Sequence, residues 1–180
     1  MKHFNDGWYV IYTRPRHEKK ICDQLRDKEI EFFFPLTRKL KTWSDRKKYI
    51  DVPLFPSYIF IYLNDINTFL KVLEIDGVVS YIRMGKEIVR VSDKVIDDLK
   101  LVLNNDEDIL VSERQFQPGQ KMIIQHGPLI GLNCEIVKYL GEYRALVRVS
   151  ILERSIILSL LPDYLICENM TTGSASLVYN

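Results

Sequence analysis

The chain has 180 residues, 47% of them hydrophobic, enough for a packed core in one domain or two small ones. A net charge of +1 excludes a global polycation, so any nucleic-acid contact must come from local patches. Three scattered cysteines, Cys22, Cys134 and Cys167, argue against a disulfide framework or a zinc site, and no apolar run has signal-peptide or membrane-spanning form; a reduced, soluble, cytoplasmic protein with no membrane role is expected.

Trp8 to Thr13 reads as a strand by its aromatic and β-branched content, with Trp8, Val10 and Tyr12 on one face and Tyr9 and Ile11 on the other. Pro15 ends it and suits the start of a charged helix over 16–28, whose Ile21, Cys22 and Leu25 form one apolar stripe. A strand is expected over 31–40, then a basic hairpin tip over 39–49. Val52 to Leu63 is a second aromatic strand. In it Tyr58, Phe60 and Tyr62 share one face and Ile59 and Ile61 the other. The aliphatic face belongs on a core; the aromatic face is either core as well or a surface for a partner. Asn64 or Asp65 caps a short helix with Ile66, Phe69, Leu70 and Leu73 at helical spacing. Two short strands, 78–82 and 87–91, flank Met84-Gly85-Lys86. Ser92 then caps a helix with Val95, Ile96, Leu99, Val102 and Leu103 inward. Helices crossing back onto an antiparallel sheet make an α+β domain over 7–103.

Polar and acidic residues from Asn104 begin a linker over 104–115, long and polar enough to leave two domains independent. Beyond it, short β-rich runs (134–139, 144–151, 156–160) are separated by the turn signals Gly141-Glu142 and Glu153-Arg154, the pattern of a small barrel over 116–167. Their β-branched residues, with Gly127, Pro128, Gly131 and Pro162, favour strands over helices. Residues 168–180 are small and polar and read as a flexible tail.

The Trp-Tyr strand running into a helix, the strand entered by Phe55-Pro56-Ser57-Tyr58, and a downstream stretch from Phe116-Gln117-Pro118-Gly119 through Gly127 and Gly131 to Val137 resemble, in that order, the NusG family of transcription elongation and antitermination factors. The downstream stretch is similar to a KOW motif. The resemblance implies a ferredoxin-like N-terminal domain, the NGN domain, followed by a KOW-type β-barrel. Ser57 stands at the small or turn-forming position of the family's motif. That departure, Leu54 before Phe55, and divergence after Ile136 resemble specialised paralogues of the RfaH and UpxY type, and imply an operon-specific role such as at polysaccharide loci.

By motif position, Tyr12, Phe55, Tyr58, Phe60 and Met84 resemble the surface with which the family docks on the clamp helices of the largest RNA polymerase subunit. Truncating an aromatic anchor in such a desolvated patch costs several kcal/mol of binding. Alternatively, Tyr58 is buried with its hydroxyl paired. Arg14, Arg16, His17, Lys19 and Lys20 surround the start of the first helix, the edge that in several relatives faces the non-template DNA strand. Basic side chains there oppose the helix dipole, which favours a functional reason over a merely solvated helix start. A second basic run, Arg38, Lys39, Lys41, Arg46, Lys47 and Lys48 around Trp43, reads either as contact with DNA or polymerase or as a charged, solubilising hairpin tip. The resemblance further implies a monomer whose C-terminal domain binds a ribosomal protein or a termination factor. No catalytic constellation, cofactor loop or metal-ligand spacing is visible, and no enzyme is expected. The alternative function is a KOW-domain protein that binds ribosomal or structured RNA; the near-neutral charge argues against it.

Overall fold

The computed structural model describes residues 5–42, 46–104, 109–112, 119–123, 130, 132–139, 142–149, 152 and 154–158. The expected tail over 168–180, Cys167, Trp43 and the turn from Gly127 to Pro128 lie outside the described residues. The N-terminal elements are β1 (Gly7–Thr13), α1 (Glu18–Asp27), β2 (Phe32–Phe33), β3 (Leu36–Thr42), β4 (Lys47–Pro53), β5 (Tyr58–Leu63) and α2 (Ile66–Leu73). They continue with β6 (Val78–Tyr81), β7 (Arg83–Met84), β8 (Glu87–Ile88), β9 (Arg90–Val91) and α3 (Asp93–Leu103). The C-terminal elements are β10 (Ile109–Ser112), β11 (Gln120–Ile123), β12 (Asn133–Tyr139), β13 (Glu142–Val149) and β14 (Arg154–Leu158).

The N-terminal unit is an α+β arrangement built on an antiparallel sheet of order β2-β5-β1-β6, with β9 also pairing with β1. The β1–β5 register sets Trp8 opposite Tyr62, Val10 opposite Phe60 and Tyr12 opposite Tyr58. One face therefore carries all six of these residues, and the other carries Tyr9, Ile11, Ile59, Ile61 and Leu63. The aliphatic face packs under Ile21, Cys22 and Leu25 of α1 and Val72 of α2. The aromatic face packs with Ile96, Leu99 and Val102 of α3, and Lys100 lays its ammonium 5.5 Å from the Trp8 ring. Both faces are thus covered, which is why the two strands read as nearly continuous apolar runs.

Several elements differ from the sequence expectation. Pro35 splits the expected 31–40 strand into β2, which joins the main sheet through β5, and β3, which leaves it. Proline cannot donate to the ladder, so the chain changes partners there. The 87–91 strand divides likewise: β8 pairs with β7 in a hairpin, whereas β9 pairs with β1. In α2 the helical spacing is present, but Ile66 (50%), Leu70 (52%) and Leu73 (42%) lie on its exposed side. Phe69, half-buried, stacks on Tyr81 at 4.2 Å. Asp65 is the cap: its carboxylate accepts from the Thr68 backbone N–H at 2.8 Å and from the Thr68 hydroxyl at 3.0 Å.

The C-terminal unit is a small antiparallel sheet of order β10-β14-β13-β12-β11. β10 pairs with β14 and so occupies part of the stretch expected as linker. Among the described residues no ladder joins β10 to β11, the closure that the expected barrel would need. Gly119 is required by space: a Cβ there would lie 2.2 Å from the Ile136 carbonyl oxygen. Its N–H donates to Glu135, which also forms a two-bond pair with Arg148 at 2.8 and 2.9 Å.

The two units share one apolar cluster. Leu132, Cys134, Ala145, Val147, Val149, Ile156 and Leu158 continue the cluster that contains Trp8, Phe60, Ile96 and Leu99. α3 contributes Ile96, Leu99 and Val102 to that cluster.

Candidate functional site

The best-defined feature is the turn Phe55-Pro56-Ser57-Tyr58. Ser57 has φ 67°, in the left-handed region that glycine and asparagine tolerate best, which accounts for a small residue there. The turn is pinned from two sides. The Ser57 N–H donates to Glu18 Oε1 at 3.0 Å, and the Ser57 carbonyl accepts from the Thr13 N–H at 2.9 Å. Glu18 is buried in the first turn of α1, where the helix dipole favours a carboxylate. The end of β1, the start of α1 and the entry to β5 are thereby one fixed unit. Glu18 was not singled out from the sequence; an acid in the first helical turn is the only local signal it gives.

The aromatic set divides by burial. Phe60 is fully buried and Phe55 nearly so, with their rings 6.3 Å apart and Phe33 6.0 Å from Phe60. These two do not lie on an exposed docking face, because α3 covers that part of the sheet. Tyr58 is half-buried and Tyr12 is 37% exposed, and their rings meet at 5.5 Å at the open end of the same face. Met84 is 66% exposed at the tip of the β7–β8 hairpin, beside Gly85 with φ 61°. Of the five, Tyr12, Tyr58 and Met84 thus retain accessible surface, while Phe55 and Phe60 are packing beneath it.

The basic edge forms around a tight turn. Arg16 has φ 66°, and His17, at the helix N-cap, makes no side-chain cap; its Nδ1 lies 3.2 Å from the Pro15 carbonyl. The Arg14 N–H donates to the Gly77 carbonyl at 2.8 Å. Gly77, at φ +99°, allows the close approach of His17 and Ile21, which a Cβ would meet at 3.1 Å. Asp76 sits among the basic groups: Lys20 Nζ is 2.8 Å from one of its oxygens and Arg14 Nη1 3.9 Å from the other. The Lys20 hydrogen bond holds the Asp76 carboxyl below the usual carboxylate range, with the Lys20 and Arg14 charges adding to it. Both pairs are exposed, so they add little stability. Their effect is on potential: Asp76 offsets part of the positive edge. No local pattern signals this, since Asp76 lies 56 residues along the chain from Lys20. Arg16 and Lys19 are exposed with no ion pair among the described residues.

A buried carboxylate lies where α3 meets β12. Lys94 Nζ is 2.8 Å from Asp98 Oδ1. Burial pushes the Asp98 carboxyl up, against the opposing pull of Lys94 and the Asn133 backbone N–H. Cys22 and Cys134 are buried too, and burial pushes the Cys22 thiol up to about 12 and the Cys134 thiol up to about 11, which disfavours the reactive thiolate. Among the described residues there is no cluster of His, Cys, Asp and Glu fit for a metal ion, and no helix is long and apolar enough to cross a membrane.

The α+β sheet unit with its pinned Phe-Pro-Ser-Tyr turn is the part of the chain that a family of non-enzymatic transcription factors matches. The family model described as transcription termination factor nusG matches residues 6–100, more than half of the 180, and the chain belongs to the NusG family. Among solved structures, that of the domain interaction in Thermotoga maritima NusG is similar in fold, with TM-score 0.50 and 19% identity over 86% of this chain and 93% of that chain. The MjSpt4:Spt5 complex aligns more loosely, with TM-score 0.31 and 9% identity over 84% of this chain and 98% of that chain.

Proposed function

We propose that this chain binds RNA polymerase at the clamp helices of the largest subunit and suppresses pausing or termination, in the manner of the specialised RfaH and UpxY paralogues, at particular operons such as polysaccharide loci. Family membership implies the polymerase as partner. The observation that carries the reading is the Tyr12–Tyr58 pair: two aromatic rings 5.5 Å apart, presented at the rim of a sheet and backed by a buried Phe55–Phe60 pair. Rigid aromatic anchors on a fixed scaffold are the usual source of interface affinity. A factor seated there would hold the clamp closed over nucleic acid and disfavour the paused state. Arg16 and Lys19, at the turn fixed to the same unit, would meet the non-template strand. The C-terminal sheet, read as a KOW-type barrel, would recruit a ribosomal protein or a termination factor, with the protein acting as a monomer.

The test is the affinity of the full-length chain for a clamp-helix fragment. Tyr12→Ala with Tyr58→Ala should weaken binding more than tenfold while the fold is retained, since two anchors at about 1–2 kcal/mol each suffice. Unchanged affinity in the folded double variant would remove the proposal.

A further inference from the structure

Ser57 holds a backbone conformation that is costly for any residue with a side chain. At φ 67° a Cβ crowds the following carbonyl oxygen, which disfavours non-glycine residues by about 5- to 30-fold. Serine at this position must therefore be held by its surroundings. Ser57 is also buried, so its backbone N–H and carbonyl need partners inside the protein.

Both partners come from the first strand and helix. The Ser57 N–H donates to Glu18 Oε1 at 3.0 Å, and the Ser57 carbonyl accepts from the Thr13 N–H at 2.9 Å. These two bonds flank the ring pair: Thr13 follows Tyr12 in β1, and Ser57 precedes Tyr58 in β5. The Thr13 bond is backbone to backbone, whereas the other depends on one side chain. Glu18 is buried and, among the described residues, has no ion pair. A buried carboxylate is costly unless it is hydrogen-bonded. The Ser57 N–H and the start of α1 supply what holds it. Glu18 lies too deep to meet a partner itself, so what it can set is the conformation of the turn.

We propose, resting on the clamp-helix reading of the Tyr12–Tyr58 pair, that Glu18 is a positioning residue for docking: it holds Ser57 in the left-handed region and so keeps Tyr58 against Tyr12 in the free protein. Without the carboxylate the Ser57 N–H is buried and unpaired, and φ 67° keeps its steric cost with less to offset it. Only molecules still in the docking conformation bind, and apparent affinity falls by that fraction. Glycine at position 57 removes the steric cost. The effects of Glu18 and of residue 57 are therefore coupled, and the carboxylate matters because serine stands at the turn.

The test compares full-length wild type, Glu18→Ala, Glu18→Gln, Ser57→Gly and the double variant E18A/S57G, under conditions where each is folded. Affinity for the clamp-helix fragment is measured, together with nuclear Overhauser contacts between the Tyr12 and Tyr58 rings in the free protein. E18A should lose about fivefold or more in affinity and most of the ring contact. E18Q should keep both, because its carboxamide oxygen accepts the same bond. S57G should bind within about twofold of wild type, and E18A/S57G should recover to that level. A residue that only supports the fold would show no such rescue, since folded molecules would bind alike. Should E18A not fold, Glu18→Asp, one methylene shorter, takes its place with the same expectations. Undiminished ring contact or undiminished affinity in folded E18A overturns the proposal. So does a loss in E18A that S57G leaves unchanged. The ring contact needs no polymerase and judges the pin by itself; failure of the wild type to bind the fragment overturns the docking reading alone.

Discussion

Phe60→Ala separates packing from docking on the aromatic strand. Phe60 is fully buried, against Phe33 and Phe55 and opposite Val10 across the ladder. An aromatic side chain buries about 200 Å². At about 25 cal/mol per Å² its transfer is worth about 5 kcal/mol, of which alanine retains a part. The cavity left under α3 adds to the loss, and measured Phe→Ala costs in cores run about 3–5 kcal/mol. A domain of this size is stable by about 5–15 kcal/mol, so the variant should sit near the edge of folding. Urea denaturation followed by the fluorescence of buried Trp8 reads the change. Tyr58→Ala, at a half-buried position on the same strand, should cost no more than about 2 kcal/mol. A Phe60→Ala cost below about 1 kcal/mol, or one smaller than that of Tyr58→Ala, would refute the placement of this face beneath α3. Weak clamp binding by Phe60→Ala then reports a damaged scaffold rather than a lost contact.

Ser57→Gly should be neutral or stabilising by up to about 1 kcal/mol, and Ser57→Val should destabilise by more than about 1 kcal/mol, because φ 67° penalises a β-branched residue; urea midpoints measure both. Asp98 should oppose stability as pH rises: its folded pKa lies above the ordinary carboxylate range, so its contribution is full below that range and is lost as pH climbs through the raised value. The stability of Asp98→Asn relative to wild type should therefore increase from acid to neutral pH, and a flat difference would contradict a buried ionised carboxylate. Asp76→Asn should free Lys20 and Arg14, raising affinity for single-stranded DNA and steepening its salt slope by about 0.7, read by anisotropy.

Much of the N-terminal unit was legible from local chemistry. Alternation in β1 and β5 set the two faces, the stripe Ile21-Cys22-Leu25 set the buried side of α1, and Asp65 and Ser92 marked the helix starts, although Ser92, unlike Asp65, makes no side-chain cap bond. What stayed hidden depends on pairs far apart in sequence. Alternation shows that Phe60 and Tyr58 share a face, but not that α3 covers one and leaves the other at the rim. Asp76 reaches Lys20 across 56 residues, and Glu18 reaches Ser57 across 39, and no periodicity encodes either. The outward turn of Ile66, Leu70 and Leu73 shows the same limit: spacing fixes a stripe, and only the neighbouring elements fix where it points. Linker composition reports only what the connection permits, and which apolar residues join one cluster depends on pairs far apart in sequence.

The most direct measurement is the map of backbone amide shifts when a clamp-helix fragment is added to the full-length protein. Docking through the aromatic rim should centre the perturbations on Tyr12, Tyr58 and the Phe55–Tyr58 turn, with Met84 affected and the exposed stripe of α2 silent. Perturbations centred on Ile66, Leu70 and Leu73, with Tyr12 and Tyr58 unmoved, would contradict it.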